Sequence, residues 1–268
     1  MTAIAVTIAG SDSSGGAGIQ ADLKTFAALD VYGASIITAL TAQNTQGVRA
    51  LHDVPPDFIR AQIDAVFSDL DIGAVKIGML SQAATIEAVA QGLAAHHAKN
   101  IVLDPVMVAT SGDRLLVPEA VEALRMLLIP RALVVTPNLP EAAALTGASV
   151  ARNEREMEVQ ARELLALGAR NVLIKGGHGS GDQSLDLLIG QGEVVRLSAR
   201  RIATSNLHGT GCTLSSAIAA GLAKGFDLGA SAQDAKEYVT AAIAAADKRK
   251  IGHGHGPLHH FHATRRTP

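Results

Sequence analysis

Short, almost wholly apolar runs alternate with stretches of helical spacing along most of the chain, and that alternation limits the fold more than any other feature. Residues 3–9, 31–42, 74–77, 101–103, 133–135 and 171–174 read as strands. Between them Ile19, Leu23, Phe26 and Ala27, and then Phe58, Ile59, Ile63, Val66, Phe67 and Leu70, recur at helical intervals. Further helices are expected over 83–97, with Ser81 as its cap, and over 153–167, with Asn153 as its cap and Gly168 as its stop. Residues 184–189 and 193–202 suggest a hairpin around Gly190, and two helices follow, one from a glycine turn and one over 232–247. Apolar strands flanked by helices predict an α/β fold: a central, mostly parallel sheet with helices on both faces. One large domain over 1–268 is expected from 268 residues that are 48% hydrophobic.

Charge and cysteine usage narrow the function. A formal net charge of −2 gives no global electrostatic case for nucleic acid or an anionic membrane as partner. The single cysteine excludes an internal disulfide and fits a reducing cytoplasm. Met-Thr-Ala-Ile-Ala-Val begins a strand-like run, so no signal peptide is expected, and no apolar run reaches the ~20 residues that span a bilayer. The Gly- and His-rich stretch 252–268 reads as a flexible end or part of a tag, with a metal-binding tail as a third reading.

In a parallel α/β sheet, ligands bind beyond the carboxyl ends of the strands. Gly10, Gln43, Met79, Asp104, Asn138, Glu141 and Lys175 all fall at expected strand ends. Asp104 and Glu141 supply two carboxylates, a donor set that suits magnesium. Lys175, before two glycines, can reach a nucleotide phosphate. Gly209, Thr210 and Gly211 open a helix whose unpaired N–H groups and dipole form a seat for a phosphate or a developing anion. Asp22 is expected in the first turn after the loop 10–18, either as a favourable charge there or as an acceptor facing the pocket. No Gly-x-x-x-x-Gly-Lys-Ser/Thr run occurs, so phosphoryl transfer from a nucleotide would use an architecture other than the P-loop.

Several longer stretches carry a resemblance. They are Ala9-Gly-Ser-Asp-Ser-Ser-Gly-Gly-Ala-Gly-Ile-Gln-Ala-Asp-Leu-Lys24, Thr38-Ala-Leu-Thr-Ala-Gln-Asn-Thr45, Lys76-Ile-Gly-Met-Leu80, Asp104-Pro-Val-Met-Val108, Thr136-Pro-Asn-Leu-Pro-Glu141, Lys175-Gly-Gly177 and His208-Gly-Thr-Gly-Cys212. From Ile4 to about Phe261 the chain resembles the bacterial hydroxymethylpyrimidine/phosphomethylpyrimidine kinases of thiamine biosynthesis, in the ribokinase-like superfamily. The resemblance implies ATP with Mg2+, usually a homodimer, and two successive phosphorylations of 4-amino-5-hydroxymethyl-2-methylpyrimidine. It places Gly10, Ala17, Asp22, Gln43, Met79, Val106 and Cys212 around the pyrimidine. The Gln43 amide both donates and accepts, as pairing with an aminopyrimidine edge requires. Asp104, Asn138 and Glu141 would hold magnesium directly or through water, Lys175 and Thr204 would line the nucleotide, and the N–H groups of 209–212 would stabilise the transferring phosphoryl group.

Most ribokinase-like kinases carry an aspartate base where this chain and its branch have Cys212. A thiol at a helix N-terminus has a lowered pKa, which makes a thiolate base an expectation. A thiol that can stay neutral would also spare a phosphorylated acceptor the repulsion of a carboxylate. The alternatives are a pyridoxal kinase or dual-specificity enzyme, a binding protein on a degenerate kinase fold, and a metal-dependent hydrolase. Gln43 weighs against the first as main role, the intact carboxylates and glycine turn against the second, and the lack of a dense His/Asp cluster outside the tail against the third.

Overall fold

The computed structural model describes residues 2–107, 117–178, 181–192 and 194–263. Met1, Val108, Glu193 and residues 264–268, which enter the readings above, lie outside them. Strands β1 (Ile4–Asp12), β2 (Tyr32–Asn44), β3 (Gly47–Asp53), β4 (Ala74–Ile77), β5 (Ile101–Leu103), β6 (Val134–Val135), β7 (Val172–Lys175), β8 (Gln183–Ile189) and β9 (Val195–Arg200) form one sheet in the order β3-β2-β1-β4-β5-β6-β7-β8-β9. Neighbours from β2 to β7 pair in parallel, while β3, β8 and β9 join antiparallel. The expected mostly parallel sheet is therefore present.

Alternation along the strands decides which helices cover which face. Val6, Ile8, Val75 and Ile77 pack with α2 (Pro56–Phe67), α3 (Ala83–Ala95), α5 (Leu139–Thr146) and α6 (Glu154–Ala166). Ala5, Ala74 and Val102 point the other way, onto Phe26 of α1 (Gly18–Ala28), Leu214 and Ile218 of α7 (Thr210–Ala223), and Val239 of α8 (Leu228–Ala244). Each fully buried Val, Ile or Leu contributes about 1.5–3 kcal/mol, so both faces are needed to hold the central strands. A short helix α4 (Pro118–Ala123) continues through a π-turn, Leu124–Leu128, to a 3-10 turn ending at Arg131.

Several boundaries differ from the expectations. Gln82, not Ser81, is the N-cap residue of α3; the Ser81 hydroxyl instead donates to Asp53 at the end of β3. α1 starts at Gly18, which puts Asp22 beyond its first turn. α8 starts at Leu228 because the Asp227 side chain accepts from the Ala230 N–H. Phe58 is 60% exposed and leaves the buried face to Ile59 and Ile63. β3 went unread because it is an exposed edge strand with little apolar patterning. Asn153 does cap α6, accepting from the Glu156 N–H, and Gly168 follows its end at φ +103°.

The stretch after residue 251 packs against the body over its described part. Pro257 bridges to His208, and Leu258 is buried with the α7–α8 layer. Neither a flexible end nor a tag describes residues 252–263.

Candidate active site

A cavity of about 890 Å³ opens at the carboxyl ends of β1, β2, β4, β5 and β7, beside the start of α7. Its lining includes Gly10, Ala17, Gln43, Met79, Asp104, Val106, Asn138, Glu141, Lys175, Gly209, Thr210, Gly211 and Cys212. Residues 10 and 212 thus meet across a single space, as the strand-end argument requires. Two expected residues do not line it. Asp22 lies behind the wall with no exposed surface, and Thr204 sits outside, its hydroxyl donating to Asp247.

The first loop is organised by Asp12, a residue the motif reading passed over. Its carboxylate accepts from the Ser14 N–H at 2.8 Å, the Ser14 hydroxyl at 2.7 Å, and the N–H groups of Gly16 and Ala17 at 3.1 and 2.8 Å. His208 Nε2 lies 2.8 Å from the same carboxylate. Burial would raise the Asp12 carboxyl, but the bonds from His208, Ser14 and Ala17 hold it well below the usual carboxylate range. An aspartate just before Ser-Ser-Gly-Gly is the sequence signal of such an Asx turn. His208 Nε2 also lies 3.4 Å from the Gln43 amide nitrogen, so the two loops and the end of β2 meet at one imidazole.

The glycine turn faces the acidic end of the cavity. Gly209 is the N-cap residue of α7 at φ +83°, and a Cβ there would come 2.0 Å from the Gly16 oxygen. Only glycine fits that approach. The first intrahelical bond of α7 runs from the Thr213 N–H to the Gly209 oxygen, so the Gly211 and Cys212 amides lack intrahelical acceptors. The Thr210 N–H is different: it donates to the Leu207 oxygen at 3.2 Å. The anion seat is therefore narrower than the 209–212 expected. A Cβ on Gly211 would stand 3.1 Å from Lys175 Nζ and 3.6 Å from Asp104 Oδ2, which locates the seat beside that pair.

Asp104 is 1% exposed and takes a 2.7 Å bond from Lys175 Nζ. Glu141 Oε2 is 3.8 Å from the same ammonium. Burial alone would lower the Lys175 ammonium, but Asp104 and Glu141 raise it. Burial pushes Glu141 up to about 7, assisted by Asp104 and opposed by Lys175. Asn138 and Glu141 also form a capping box on α5: the Glu141 N–H donates to Asn138 Oδ1, and the Asn138 N–H to Glu141 Oε2. Two buried carboxylates fit a hard divalent cation, and among the described residues Asp104 Oδ2 receives only a 3.3 Å bond from the Ser215 hydroxyl. Among the described residues no group of three metal-binding side chains occurs, so such a cation would complete its shell with phosphate and water.

Cys212 departs from its expectation. Burial pushes the thiol up to about 11, although Lys76 works in the opposite sense. Burial thus favours the neutral thiol over the expected thiolate. Lys76 itself, in the middle of the apolar strand β4, is fully buried against Asp22 at 2.9 Å. Burial alone would lower it, yet Asp22, Cys212 and Asp104 raise it above the usual lysine range. A lysine inside Ala-Val-Lys-Ile was the available signal for a buried ion pair. A second buried pair, Lys236 and Asp186 at 2.8 Å, lines the cavity as well, and its signal is an aspartate inside the run Leu-Asp-Leu-Leu.

A family model described as phosphomethylpyrimidine kinase matches residues 12–259. The chain belongs to the phosphomethylpyrimidine kinase family. It is 62% identical, over 98% of both chains, to a hydroxymethylpyrimidine/phosphomethylpyrimidine kinase of Rhizobium meliloti. Among solved structures, phosphomethylpyrimidine kinase of Clostridium difficile shares 46% identity and a TM-score of 0.80, over 90% of this chain and 99% of that one. An ADP complex of Bacillus subtilis pyridoxal kinase shares 39% identity and a TM-score of 0.90, over 97% and 98%. The fold is ribokinase-like, and the chain is a phosphotransferase of thiamine biosynthesis.

Proposed function

We propose that this member of the family transfers the γ-phosphoryl group of ATP to the hydroxyl of 4-amino-5-hydroxymethyl-2-methylpyrimidine, and then a second group to the resulting monophosphate. One observation carries the reading: Gln43 and the Gly211–Cys212 amides line the same cavity as Asp104, Glu141 and Lys175. Gln43 pairs with the aminopyrimidine edge, and Met79 and Val106 wall the flat ring. Lys175 and the α7 amides receive charge on the transferring phosphoryl group. A bond forms from the acceptor oxygen to the γ-phosphorus while the bridging P–O bond to ADP breaks. With the Cys212 thiol neutral, the hydroxyl proton leaves late in a loose transfer and passes to an oxygen of the transferred phosphoryl group or to water. Asp104 and Glu141 would hold Mg2+, which neutralises phosphate charge when bound.

The test is to incubate the protein with ATP, Mg2+ and the hydroxymethylpyrimidine and to resolve monophosphate from diphosphate over time. Successive appearance of both supports the reading, and neither appearing overturns it. The 0.90 TM-score against a pyridoxal kinase favours side activity on pyridoxal as the second reading, so pyridoxal runs alongside as acceptor. A cytoplasmic setting and a homodimer complete the proposal. The dimer is supported by exposed apolar side chains on the β2–β3 edge, namely Tyr32, Leu40 and Leu51.

A further inference from the structure

Within eleven residues the segment from Gly252 to His262 touches His208, which lines the cavity, and Thr45 and Thr213, which stand two and one residues beyond the lining residues Gln43 and Cys212. At its start the His255 N–H donates to the Thr45 oxygen at 2.8 Å, and the His253 and Gly254 N–H groups reach the Thr45 hydroxyl at 3.2 Å. Thr45 is two residues beyond Gln43. Next, the His208 N–H donates to the Gly256 oxygen at 3.1 Å, and Pro257 pairs with His208. Finally, His260 Nε2 lies 3.1 Å from the Thr213 hydroxyl, which donates to the Gly209 oxygen at 2.8 Å. Tyr238 of α8 donates to the His260 oxygen and fixes this end. The approach is too close for side chains. A Cβ on Gly254 would stand 2.0 Å from the Thr45 oxygen, and one on Gly256 2.0 Å from Asn206 Oδ1.

We infer that this segment is a positioning strap for the acceptor half of the site: it sets Gln43, His208 and Gly209 relative to one another. Gln43 stands near the end of β2, where the Ser13 hydroxyl bonds its backbone N–H and oxygen, each at 2.9 Å, and the strap adds a second tie, from the turn beyond Gln43 to the glycine loop. The inference rests on the reading that the Gln43 side takes the acceptor alcohol. A strap that positions and one that merely stabilises differ in what they move. Misplacing Gln43 weakens acceptor binding in every molecule, whereas lost stability removes active molecules and leaves KM unchanged.

The experiment compares wild type, Gly256→Ala, Gly256→Ala with Asn206→Ala, and Thr45→Ala. The second substitution in the double variant removes the amide that the new methyl would strike, and Thr45→Ala removes one strap acceptor without adding bulk. Gly256→Ala should raise KM for the acceptor about tenfold while the Kd for ADP stays within about twofold, and the double variant should recover most of that loss. Thr45→Ala should raise acceptor KM about threefold and gives the readout if Gly256→Ala does not fold. Acceptor KM unchanged in the folded variants overturns the inference, as does an equal loss of ADP affinity. If wild type phosphorylates no pyrimidine alcohol, it is the functional reading that fails instead.

Discussion

Two side chains near α7 carry opposite electrostatic tasks. Burial favours a neutral Cys212 thiol at the place where a carboxylate would repel a phosphorylated acceptor by roughly 4 kcal/mol, for charges about 4 Å apart at an effective dielectric near 20. Cys212→Asp should therefore keep the first phosphorylation and lose most of the second, read as monophosphate accumulating without diphosphate; comparable losses in both steps would refute the argument. Lys76 has no solvent contact and its partner Asp22 has none either. Lys76→Met leaves a buried carboxylate that, among the described residues, keeps the Thr7 and Ser216 hydroxyls as donors, so urea unfolding should show a loss of about 3–5 kcal/mol. The motif match delivered Asp22 as a pocket residue, but the residue-level reason for it is this pairing behind the wall. No pattern in one strand reveals a partner 54 residues away.

At the scale of elements, the two helix starts at the site are built differently. α7 begins on bare glycine and leaves its Gly211 and Cys212 amides without intrahelical acceptors, whereas α5 closes its start with a capping box. Asn138→Ala should cost about 1 kcal/mol of stability through α5 and should also disturb Glu141, so thermal melts and nucleotide affinity should fall together. The segment docked on α7 and α8 adds a pH dependence. Burial, with Lys24 nearby, pushes His260 down to about 4 from an ordinary 6.5. Between those values the unfolded chain takes up a proton that the folded chain refuses, so stability falls as pH drops from 6.5 to 4, by up to about 3 kcal/mol. Glu141, raised to about 7, works in the opposite sense. Urea melts of wild type against His260→Gln separate the two, and the variant should lose the His260 part of the slope. Strands were legible because burial on both faces leaves an unbroken apolar run. α5 was not, since Pro140 hides a helix whose real signal is Asn138 with Glu141 three residues on.

For the whole molecule, the sheet order explains why the site was readable before any contact was known. β1, β4, β5, β6 and β7 run parallel, so the residues that follow them necessarily gather at one edge. What stayed hidden was contact between remote segments: Asp12 with His208, Asp186 with Lys236, and the last described residues with Thr45. The exposed β2–β3 edge argues for pairing with a second copy. Light scattering should give a two-chain mass, and Leu40→Glu should shift it toward one chain without loss of fold. Gly16 and Gly209 stand back to back with no gap for even a methyl group between them, though 193 positions separate them in the chain (209 − 16). Neither loop can be re-contoured alone. A lineage exchanging one vitamin precursor for another on this scaffold has to amend both ends of the gene in concert, and libraries randomising a single loop would sample mostly dead variants.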